Sequence, residues 1–493
     1  MSYQAPNKDL LPRSAVIIDG TPSAGSGISL PHIYPATGQA TGDIRLASPA
    51  EVDAAVAAAR RAAPGWRALP GDKRRDLMFK LASLIEQDGA TLAHLSTVEN
   101  GMAISGTGFL AYDAAQKFRY FGGWADKIQG RTIATWYGPA HDYVAYEPYG
   151  VIGAIIPWNG PLFATTMVVA PALAAGNCIV VKAPELAPYA VMRLGELFIA
   201  AGFPPGVFNV VTGGPDIGEA IVAHPGVDKI QFVGSGPTAK KVLRSAAETL
   251  KPCGLELGGK SAVIVFADAD LQSAAKRGLS GAISANGQGC VNGTRLLVER
   301  PIYDQYLAML GGIASHIKIG DPLDQGTAVG PVISESALAR MLATIERAKQ
   351  EGGRVVTGGE RLSGDAANGF FLPITIVADV ANDSNLAQHE VFGPVLSVTP
   401  FDTEEEAIEL ANGTAYGLGG YVHTQNLGRA HRMAAALDSG MIHVNGSGEG
   451  MTPCAPFGGM KQSGYGRLGG EAGLHEFLRI KNVWMSLAKP QGV

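Results

Sequence analysis

The chain has 493 residues, of which 46% are apolar and 17% are charged. A chain of this length and apolar content can bury a large core, which excludes an intrinsically disordered protein. The net charge of −5 gives no reason to expect nucleic acid or an anionic membrane as a partner. The sequence shows no run of 18 apolar residues and no signal-peptide pattern at its start, so we expect neither a membrane span nor secretion.

The cysteines and histidines exclude two further classes of protein. Cys178, Cys253, Cys290 and Cys454 form no CxxC pair, and the histidines lack metal-binding spacing. We therefore expect neither a disulfide framework nor a metal site. Free cysteines of this kind predict a reducing, cytoplasmic location.

The first third of the chain predicts an arm followed by helices. Residues 1–45 read as a loosely structured arm. A capping box at Ser48 and Glu51 then predicts the start of a helix. Further helices are predicted at about 72–89 and 108–129.

From residue 145 onward, predicted strands and helices alternate. The strands are 145–157, 178–182, 208–212, 229–233, 261–266, 294–298, 353–357, 374–379 and 395–400, and the helices are 162–175, 188–202, 215–223, 237–250, 271–286 and 301–316. This alternation predicts an α/β fold with a doubly wound, mostly parallel, Rossmann-like sheet whose ligands bind beyond the carboxyl ends of its strands. The block from about Leu271 to past His443 predicts a second α/β domain, and the irregular stretch 445–470 predicts a functional loop.

A glycine fingerprint follows one of the predicted strands. Gly234-Ser-Gly-Pro-Thr-Ala239 opens a predicted helix and matches GxGxxG/A, with Ser235 as its predicted N-cap. Free backbone N–H groups at that helix start suit a pyrophosphate. The pattern alone is equally typical of a glycine turn that only reverses the chain. Glu256 stands 22 residues after Gly234, where the fingerprint expects an acid for the ribose.

One cysteine lies in a glycine-rich turn. In Asn286-Gly-Gln-Gly-Cys290 the small neighbours leave the sulfur accessible, as a nucleophile requires. The alternative is a buried, inert thiol, which is the commonest fate of a free cysteine. We expect that fate for Cys178, which lies inside an apolar strand, and packing or loop roles for Cys253 and Cys454.

Two polar residues stand near predicted strand ends. Glu256 lies between two leucines, so it is either a structural ion-pair partner or a base poised by desolvation. Asn159 follows the first strand of the doubly wound sheet, where the ligand rule points. An asparagine in a turn before Pro161 is the alternative.

Seven motifs occur in an order that is specific to one family. They are Pro157-Trp-Asn159, Val181-Lys-Ala-Pro-Glu185, Phe232-Val-Gly-Ser235, Leu255-Glu-Leu-Gly-Gly-Lys260, Gly287-Gln-Gly-Cys290, Glu390-Val-Phe-Gly-Pro394 and Pro456-Phe-Gly-Gly459. From about residue 45 to about 486, the sequence resembles the NAD(P)-dependent aldehyde dehydrogenase superfamily. The resemblance implies a dinucleotide-binding domain at 1–129 and 149–258, a catalytic domain at 259–463, and oligomerisation segments at 130–148 and 464–493.

The resemblance also implies three catalytic roles. Cys290 would attack the aldehyde as a thiolate, which calls for a lowered thiol pKa. The side-chain amide of Asn159 and the N–H of Cys290 would hold the resulting oxyanion. Once hydride has left for the cofactor, Glu256 would activate the water that hydrolyses the thioester, a role that displaces the ribose interpretation.

The cofactor implied by the resemblance is NAD rather than NADP. The implied cofactor-binding residues are Trp158, Lys182, Glu185, Gly234, Ser235, Glu390 and Phe392. The Glu185 carboxylate would accept hydrogen bonds from the adenosine ribose and repel a 2′-phosphate.

A substrate pocket is implied as well, lined by apolar or aromatic side chains. Its predicted lining residues are Phe163, Met167, Val291, Met451 and Phe457. None of these is an arginine or lysine, so we expect an uncharged aliphatic or aromatic aldehyde. The chain departs from the family pattern at Leu468, where many members carry glutamate, and at Val168, where some carry lysine.

Subunit contacts and competing functions complete the expectations. The segment 134–149 resembles the projecting strands through which family members dimerise, and the tail 479–485 is expected to pair with a neighbouring subunit, giving a homodimer or homotetramer. The alternatives to aldehyde oxidation are a thioester or ester hydrolase without redox chemistry, and a catalytically silent scaffold. The implied nucleotide-binding residues count against the first, and the three implied catalytic residues count against the second.

Overall fold

The structure is a computed structural model that describes residues 3–448 and 451–487. Its strands are β1 (Val16–Ile18), β2 (Thr21–Ser23), β3 (Ser29–Tyr34), β4 (Gln39–Arg45), β5 (Arg131–Ile133), β6 (Ala140–Pro148), β7 (Val151–Ile155), β8 (Cys178–Pro184), β9 (Phe208–Gly213), β10 (Lys229–Val233), β11 (Cys253–Glu256), β12 (Ala262–Val265), β13 (Arg295–Glu299), β14 (Arg354–Thr357), β15 (Thr375–Ala378), β16 (Val395–Phe401), β17 (Tyr416–Gly417), β18 (Gly419–His423), β19 (Met441–Val444), β20 (Met460–Lys461), β21 (Gly464–Tyr465) and β22 (Leu478–Ser486).

The helices connect these strands and cover the sheets. They are α1 (Pro49–Ala68), α2 (Gly71–Gln87), α3 (Gly89–Asn100), α4 (Ile104–Thr107), α5 (Leu110–Gly122), α6 (Pro161–Ala174), α7 (Tyr189–Ala201), α8 (Pro215–Ala223), α9 (Gly236–Ala247), α10 (Leu271–Ile283), α11 (Tyr303–His316), α12 (Glu335–Gln350), α13 (Asn385–Gln388), α14 (Glu404–Asn412), α15 (Leu427–Ala436) and α16 (Gly470–His475). Among the described residues, none of the helices combines the length and apolarity needed to cross a bilayer.

The first sheet has eight strands in the order β2-β1-β9-β8-β7-β10-β11-β21. Its five central strands, β9 to β11 in that order, are parallel. Every residue of β7, β8 and β9 is buried, because successive side chains point to opposite faces and helices cover both. The predicted α/β fold with a doubly wound parallel sheet is confirmed.

The second sheet has seven strands in the order β14-β15-β16-β13-β12-β18-β19. Only β14 runs antiparallel to its neighbour. The chain crosses from the first sheet to the second through the short segment between β11 and β12. This crossing brings the carboxyl end of β11 close to the loop that precedes β13.

A three-stranded antiparallel sheet, β22-β6-β5, contains both segments that were predicted to form subunit contacts. The expectation that the tail pairs with a neighbouring subunit stays a prediction, because β22 is an edge strand of this sheet. The tail strand β22 pairs with β6 of its own chain along its whole length, from Leu478 opposite Pro148 to Ser486 opposite Ala140. The side chain of Glu147 on β6 reinforces this pairing through ion pairs with Arg479 and Lys481 on β22.

Other predictions for local structure meet a mixed outcome. Of the arm predicted at 1–45, residues 3–45 are described, and they are not loose, because they contain β1 to β4 and β1 pairs with β9 of the first sheet. The predicted strand at 145–157 is two strands, β6 and β7, in different sheets. The capping box is confirmed, with the Ser48 N–H donating to Glu51 Oε2 at 2.7 Å. Residues 449–450, within the predicted functional loop, lie outside the described residues.

Candidate active site

Two neighbouring strands of the first sheet have connections that leave in opposite directions. From β7 the chain runs to β8 and β9 on one side, and from β10 it runs to β11 on the other. A crevice forms at such a switch point, beyond the carboxyl ends of the strands. Asn159 follows β7 and Ser235 follows β10, so both residues stand at this crevice.

The turn after β10 leaves room for an anionic group. Ser235 is the N-cap of α9, and its Oγ donates to Thr238 Oγ1 at 3.1 Å. A Cβ at Gly234 would lie 2.6 Å from the Phe232 ring, whereas a Cβ at Gly236 would meet nothing within 4 Å. The first N–H groups of α9 therefore border open space, which suits a pyrophosphate.

A lysine and a glutamate stand at the end of β8. Lys182 is 8% exposed, and its Nζ donates to Glu185 Oε2 at 3.3 Å. Burial lowers the pKa of Lys182, and the Glu185 carboxylate opposes that change. A carboxylate at this edge of the sheet fits the ribose hydroxyls of a dinucleotide.

Glu390 reaches the segment that joins the two sheets. Its Oε1 accepts a hydrogen bond from the Gly259 N–H at 3.0 Å. A Cβ at Gly258 would lie 2.1 Å from Glu390 Oε2, so the carboxylate approaches closely only because that residue is glycine. Burial raises the pKa of Glu390 to about 7, against the Gly259 N–H and the Lys260 ammonium, which both lower it.

Two aromatic residues of the predicted cofactor site contact each other. The rings of Trp158 and Phe392 pack edge to face with their centroids 5.4 Å apart. Phe392 adopts a φ of 59°, in the left-handed region that bulky residues rarely occupy. Backbone strain of this kind persists where the surrounding structure fixes it, and it clusters at functional sites.

Side-chain amides hold the loop that carries Cys290. Asn286, with a φ of 56°, donates to the carbonyls of Gly101 and Pro331, both at 2.8 Å. Gln288 Oε1 accepts from the Ile333 N–H at 3.0 Å.

Asn292, on the far side of the cysteine, donates to the carbonyls of Ala282 and Ser284. These buried bonds fix the backbone around the sulfur. The sequence analysis missed all three amides, although their spacing within a glycine-rich turn is a visible signal.

Asn159 meets this loop directly. Its Nδ2 donates to the Gln288 carbonyl at 2.7 Å. A side-chain amide carries two N–H donors, so one orients the group and one is left for a ligand. From the other side, a Cβ at Gly259 would lie 2.8 Å from the Cys290 carbonyl oxygen. The loop of Cys290 is thus packed between the segments that carry Asn159 and Glu256.

The protein's own groups disfavour the thiolate of Cys290. The residue is partly buried, and its desolvation raises the thiol pKa to about 12, with Glu390 and Glu256 adding to the rise. Its own N–H and that of Val291 act in the opposite direction. In the protein alone the pKa is thus shifted in the direction opposite to the one that a thiolate nucleophile calls for. Of the other cysteines, Cys178 is fully buried, and burial raises its pKa to about 12 as well.

Glu256 is a buried carboxylate without a hydrogen-bond partner. It is 3% exposed, and neither of its oxygens bonds to any described residue. Burial raises its pKa well above the usual value, while Arg467 lowers it and Glu476 raises it. A structural ion pair would hold the carboxylate oxygens, so this environment favours a proton-transfer role over the ion-pair alternative.

A cavity of about 270 Å³ lies beside α6. Phe163, Met167, Met451 and Phe457 are among its lining residues, whereas Val291 is not. Val291 and Cys290 both pack against the hydrophobic core around the first sheet. Lys117 also lines the cavity, so the expectation of a pocket free of lysine is wrong. The sequence places Lys117 on an amphipathic helix, where a lysine usually faces solvent.

The two residues that depart from the family pattern are both buried. Leu468 is 0% exposed and pairs with Phe457, whose carbonyl accepts from the Leu468 N–H at 2.8 Å. Val168 on α6 is also 0% exposed. Neither position supplies a group that can carry a proton towards Glu256. Among the described residues, no cluster of three or more potential metal-binding side chains was found.

Comparison with known proteins identifies relatives of similar length. The model of the aldehyde dehydrogenase family matches residues 23–483. The chain is 41% identical over 460 residues to (Z)-2-((N-methylformamido)methylene)-5-hydroxybutyrolactone dehydrogenase of Acinetobacter baylyi, covering 92% of this chain and 93% of that protein. It is 39% identical over 481 residues to a betaine aldehyde dehydrogenase of Cereibacter sphaeroides, covering 97% and 98%. It is 40% identical over 466 residues to the peroxisomal aminoaldehyde dehydrogenase 2 of Pisum sativum, covering 92% of each.

Solved structures agree with these matches. PnpE from Pseudomonas sp. WBC-3, solved in complex with nicotinamide adenine dinucleotide, superposes with a TM-score of 0.94 at 40% identity, covering 97% of this chain and 98% of that chain. Betaine aldehyde dehydrogenase from Staphylococcus aureus, in complex with NAD+, gives 0.95 at 33% identity, covering 98% and 96%. An NADP-dependent enzyme from E. coli gives 0.94 at 35% identity, covering 98% and 100%. The chain therefore belongs to the aldehyde dehydrogenase family and is an NAD(P)-dependent aldehyde oxidoreductase.

Proposed function

We propose that this enzyme oxidises an uncharged aldehyde to its carboxylic acid with NAD, through a covalent intermediate on Cys290. The observation that carries the proposal is the hydrogen bond from Asn159 Nδ2 to the Gln288 carbonyl, 2.7 Å long. This hydrogen bond joins the carboxyl edge of the first sheet to the loop that carries Cys290. A hydrogen-bond donor, a sulfur and a buried carboxylate thereby share one region of the fold.

The residues around the switch point fit a dinucleotide. We assign the adenosine ribose to Lys182 and Glu185, the pyrophosphate to Gly234 and Ser235, and the nicotinamide ribose to Glu390, with Trp158 and Phe392 beside the ring. The half-buried Glu185 carboxylate supports NAD over NADP, because a 2′-phosphate would bring negative charge against it. When bound, NAD supplies the hydride acceptor and a positively charged ring.

The covalent step begins with the thiolate of Cys290. The sulfur bonds to the aldehyde carbon, and the carbonyl electrons move onto oxygen. The free N–H of Asn159 and the backbone N–H of Cys290 stabilise that oxyanion. One such donor contributes about 10²- to 10³-fold in rate in comparable enzymes. Loss of hydride from the same carbon oxidises it and leaves a thioester on Cys290.

Glu256 completes the cycle by hydrolysing the thioester. Its raised pKa makes it a stronger base than an ordinary carboxylate once it is ionised. It takes a proton from water as the water oxygen bonds to the thioester carbon. The carbon–sulfur bond then breaks, the acid leaves and the thiolate is restored. With Leu468 and Val168 in place of ionisable residues, Glu256 performs this step without their help.

The assembly and location are part of the same proposal. The sheet β22-β6-β5 presents exposed apolar side chains, including Ile480 at 69% and Trp484 at 48% exposure. Surfaces of this kind mark contacts between proteins, so we assign the sheet to a homodimer or homotetramer. The four free cysteines support a reducing, cytoplasmic location.

Two variants test the mechanism. Cys290→Ala should abolish NADH production from every aldehyde in a panel. Cys253→Ala, which removes a cysteine at the end of β11 that is opposite Glu256, should leave NADH production unchanged. Glu256→Gln should retain a rapid burst of about one NADH per site, followed by a slow phase, because hydrolysis alone is impaired. Activity in Cys290→Ala, or a Glu256→Gln enzyme without a burst at saturating NAD, would refute the assignment. Ester turnover without any NAD binding would instead indicate the hydrolase.

A further inference from the structure

A buried lysine lines the cavity beside α6, which we assign to the substrate. Lys117 lies on α5 and is 5% exposed. Its Nζ lies 3.6 Å from the centroid of the Phe163 ring, and both residues line the cavity. Phe163 belongs to the first turn of α6, a helix that begins two residues after Asn159. The ammonium group therefore lies against the helix turn that follows the proposed oxyanion donor.

Two partners hold this ammonium group among the residues that the structure describes. A lysine ammonium has three N–H donors and accepts no hydrogen bond. One donor is directed at the carboxylate of Asp113, one turn earlier on α5 and itself 6% exposed. The face of the Phe163 ring attracts the charge in a second direction. The third donor has no partner in the described part of the chain, so it can bind a ligand in the cavity.

The charge of the pair decides which ligand suits that donor. Asp113 already neutralises Lys117, so a ligand carboxylate would be a second anion for one buried cation. A cationic ligand would be repelled by the ammonium. None of the described lining residues is an aspartate or glutamate that could attract it. The ring of His443, which also lines the cavity, stacks on Tyr421. An uncharged oxygen accepts the hydrogen bond without adding charge.

We propose that Lys117 selects uncharged aldehydes that carry a hydrogen-bond-accepting oxygen away from the aldehyde carbon. This inference rests on the proposed oxidation of aldehydes at Cys290 and names the substrate class of that site. Lys117 is a specificity-determining residue here, and Asp113 is the positioning residue that sets its net charge.

The test compares four aldehydes of matched length, one at a time, by their kcat/KM with NAD. They end in a methyl group, a methoxy group, a carboxylate and a trimethylammonium group. In the wild type, we expect the methoxy compound to be favoured and the trimethylammonium compound to be the poorest. In Lys117→Met, the ratio of methoxy to methyl kcat/KM should fall about tenfold, since one hydrogen bond from a charged donor is lost.

Three further variants keep the test decisive. Because Lys117→Met leaves the Asp113 charge buried and unpaired, the double variant Asp113→Leu, Lys117→Met replaces the whole pair with apolar groups and should show the same fall. Asp113→Asn leaves the ammonium uncompensated, so the relative kcat/KM of the carboxylate compound should rise about tenfold. Lys251→Met removes another buried lysine, one that does not line the cavity, and should leave every ratio unchanged.

The outcomes separate this inference from the function on which it rests. Turnover with ratios that stay within twofold in both Lys117 variants would overturn the role of Lys117 and leave aldehyde oxidation standing. A wild type that prefers the trimethylammonium compound would do the same. Failure of the wild type to reduce NAD with any aldehyde would overturn both.

Discussion

Replacing Glu390 with glutamine removes a carboxyl group whose ionised form is disfavoured by burial in the folded protein. The side chain is partly buried, and its desolvation raises the pKa to about 7 from the ordinary 4.5. A folded pKa above the unfolded one means that the native state binds the proton more tightly. This group therefore lowers the stability of the native state progressively as pH rises from about 4.5 to about 7, and the loss is complete above that range.

The size of the effect follows from that pKa difference. A rise from 4.5 to about 7 corresponds to about 3 kcal/mol. The side chain keeps some contact with solvent, and screening reduces the expected gain in Glu390→Gln to about 2 kcal/mol at pH 8. Glutamine retains an oxygen that accepts from the Gly259 N–H. Attraction to Lys260 needs no separate correction, because the lysine is one of the groups that lower this pKa and is already counted in it.

Urea unfolding of Glu390→Gln and wild type at one protein concentration, at pH 5 and at pH 8, measures this difference. The two proteins should be nearly equal in stability at pH 5, and the variant should be the more stable at pH 8. Glu360→Gln, which changes an exposed glutamate, is the matched control and should show no such change with pH. An equal difference at both pH values, or a variant that is less stable at pH 8, would refute the reasoning. Because we assign Glu390 to the nicotinamide ribose, Glu390→Gln should also have a higher KM for NAD.

Three further predictions follow from the same site. Asn159→Ala should lower kcat by about 10²- to 10³-fold, measured by NADH production, because one oxyanion donor is lost; a change below tenfold would contradict the role. Glu185→Ser should raise the ratio of NADP to NAD kcat/KM by at least about tenfold, since the carboxylate no longer repels the 2′-phosphate and Lys182 is left to pair with it. Alkylation of Cys290 in the protein alone, followed by peptide mass spectrometry, should accelerate about tenfold per pH unit from pH 7 to 10, because only the thiolate reacts and its pKa is about 12; a plateau near pH 8 would refute that value.

The sequence predicted the parts of the fold in which local pattern and tertiary structure agree. The helix predicted at 215–223 coincides with α8, and the apolar runs that predict parallel strands coincide with β8 to β10. In these strands nearly every side chain is buried because both faces of the sheet are covered, so a continuous apolar run is enough to identify them. The carboxyl ends of the strands then follow from strand direction, which places Asn159 and Ser235 at one crevice.

The remaining errors concern which segment pairs with which. A strand pattern at 145–157 does not reveal that Pro148 ends one sheet and Val151 begins another, nor that β22 lies beside β6. Contacts between residues more than 300 positions apart leave no periodic pattern in the local sequence. The same holds for Lys117, since a lysine on an amphipathic helix reads as solvent-exposed until Phe163 and Asp113 are found against it. The raised pKa of Cys290 likewise comes from its burial in the folded protein, with Glu390 and Glu256, both in other segments of the chain, adding to the rise.

Several buried polar atoms without a hydrogen-bond partner lie where the two sheets meet. Between residues 256 and 261, both oxygens of Glu256, Nζ of Lys260 and Oγ of Ser261 are buried without a hydrogen-bond partner among the described residues. Each such atom costs about 1–3 kcal/mol, so packing alone would select apolar side chains here. Phe392, with its left-handed backbone, adds strain beside the same segment. Buried polar atoms without a partner occur elsewhere among the described residues too, for example in Ser96, Glu99 and Thr165. Those at the junction of the sheets differ in lying beside the loop that carries Cys290, where a ligand, a water or a reacting carbonyl can be their partner, and this is why we place the chemistry at the junction.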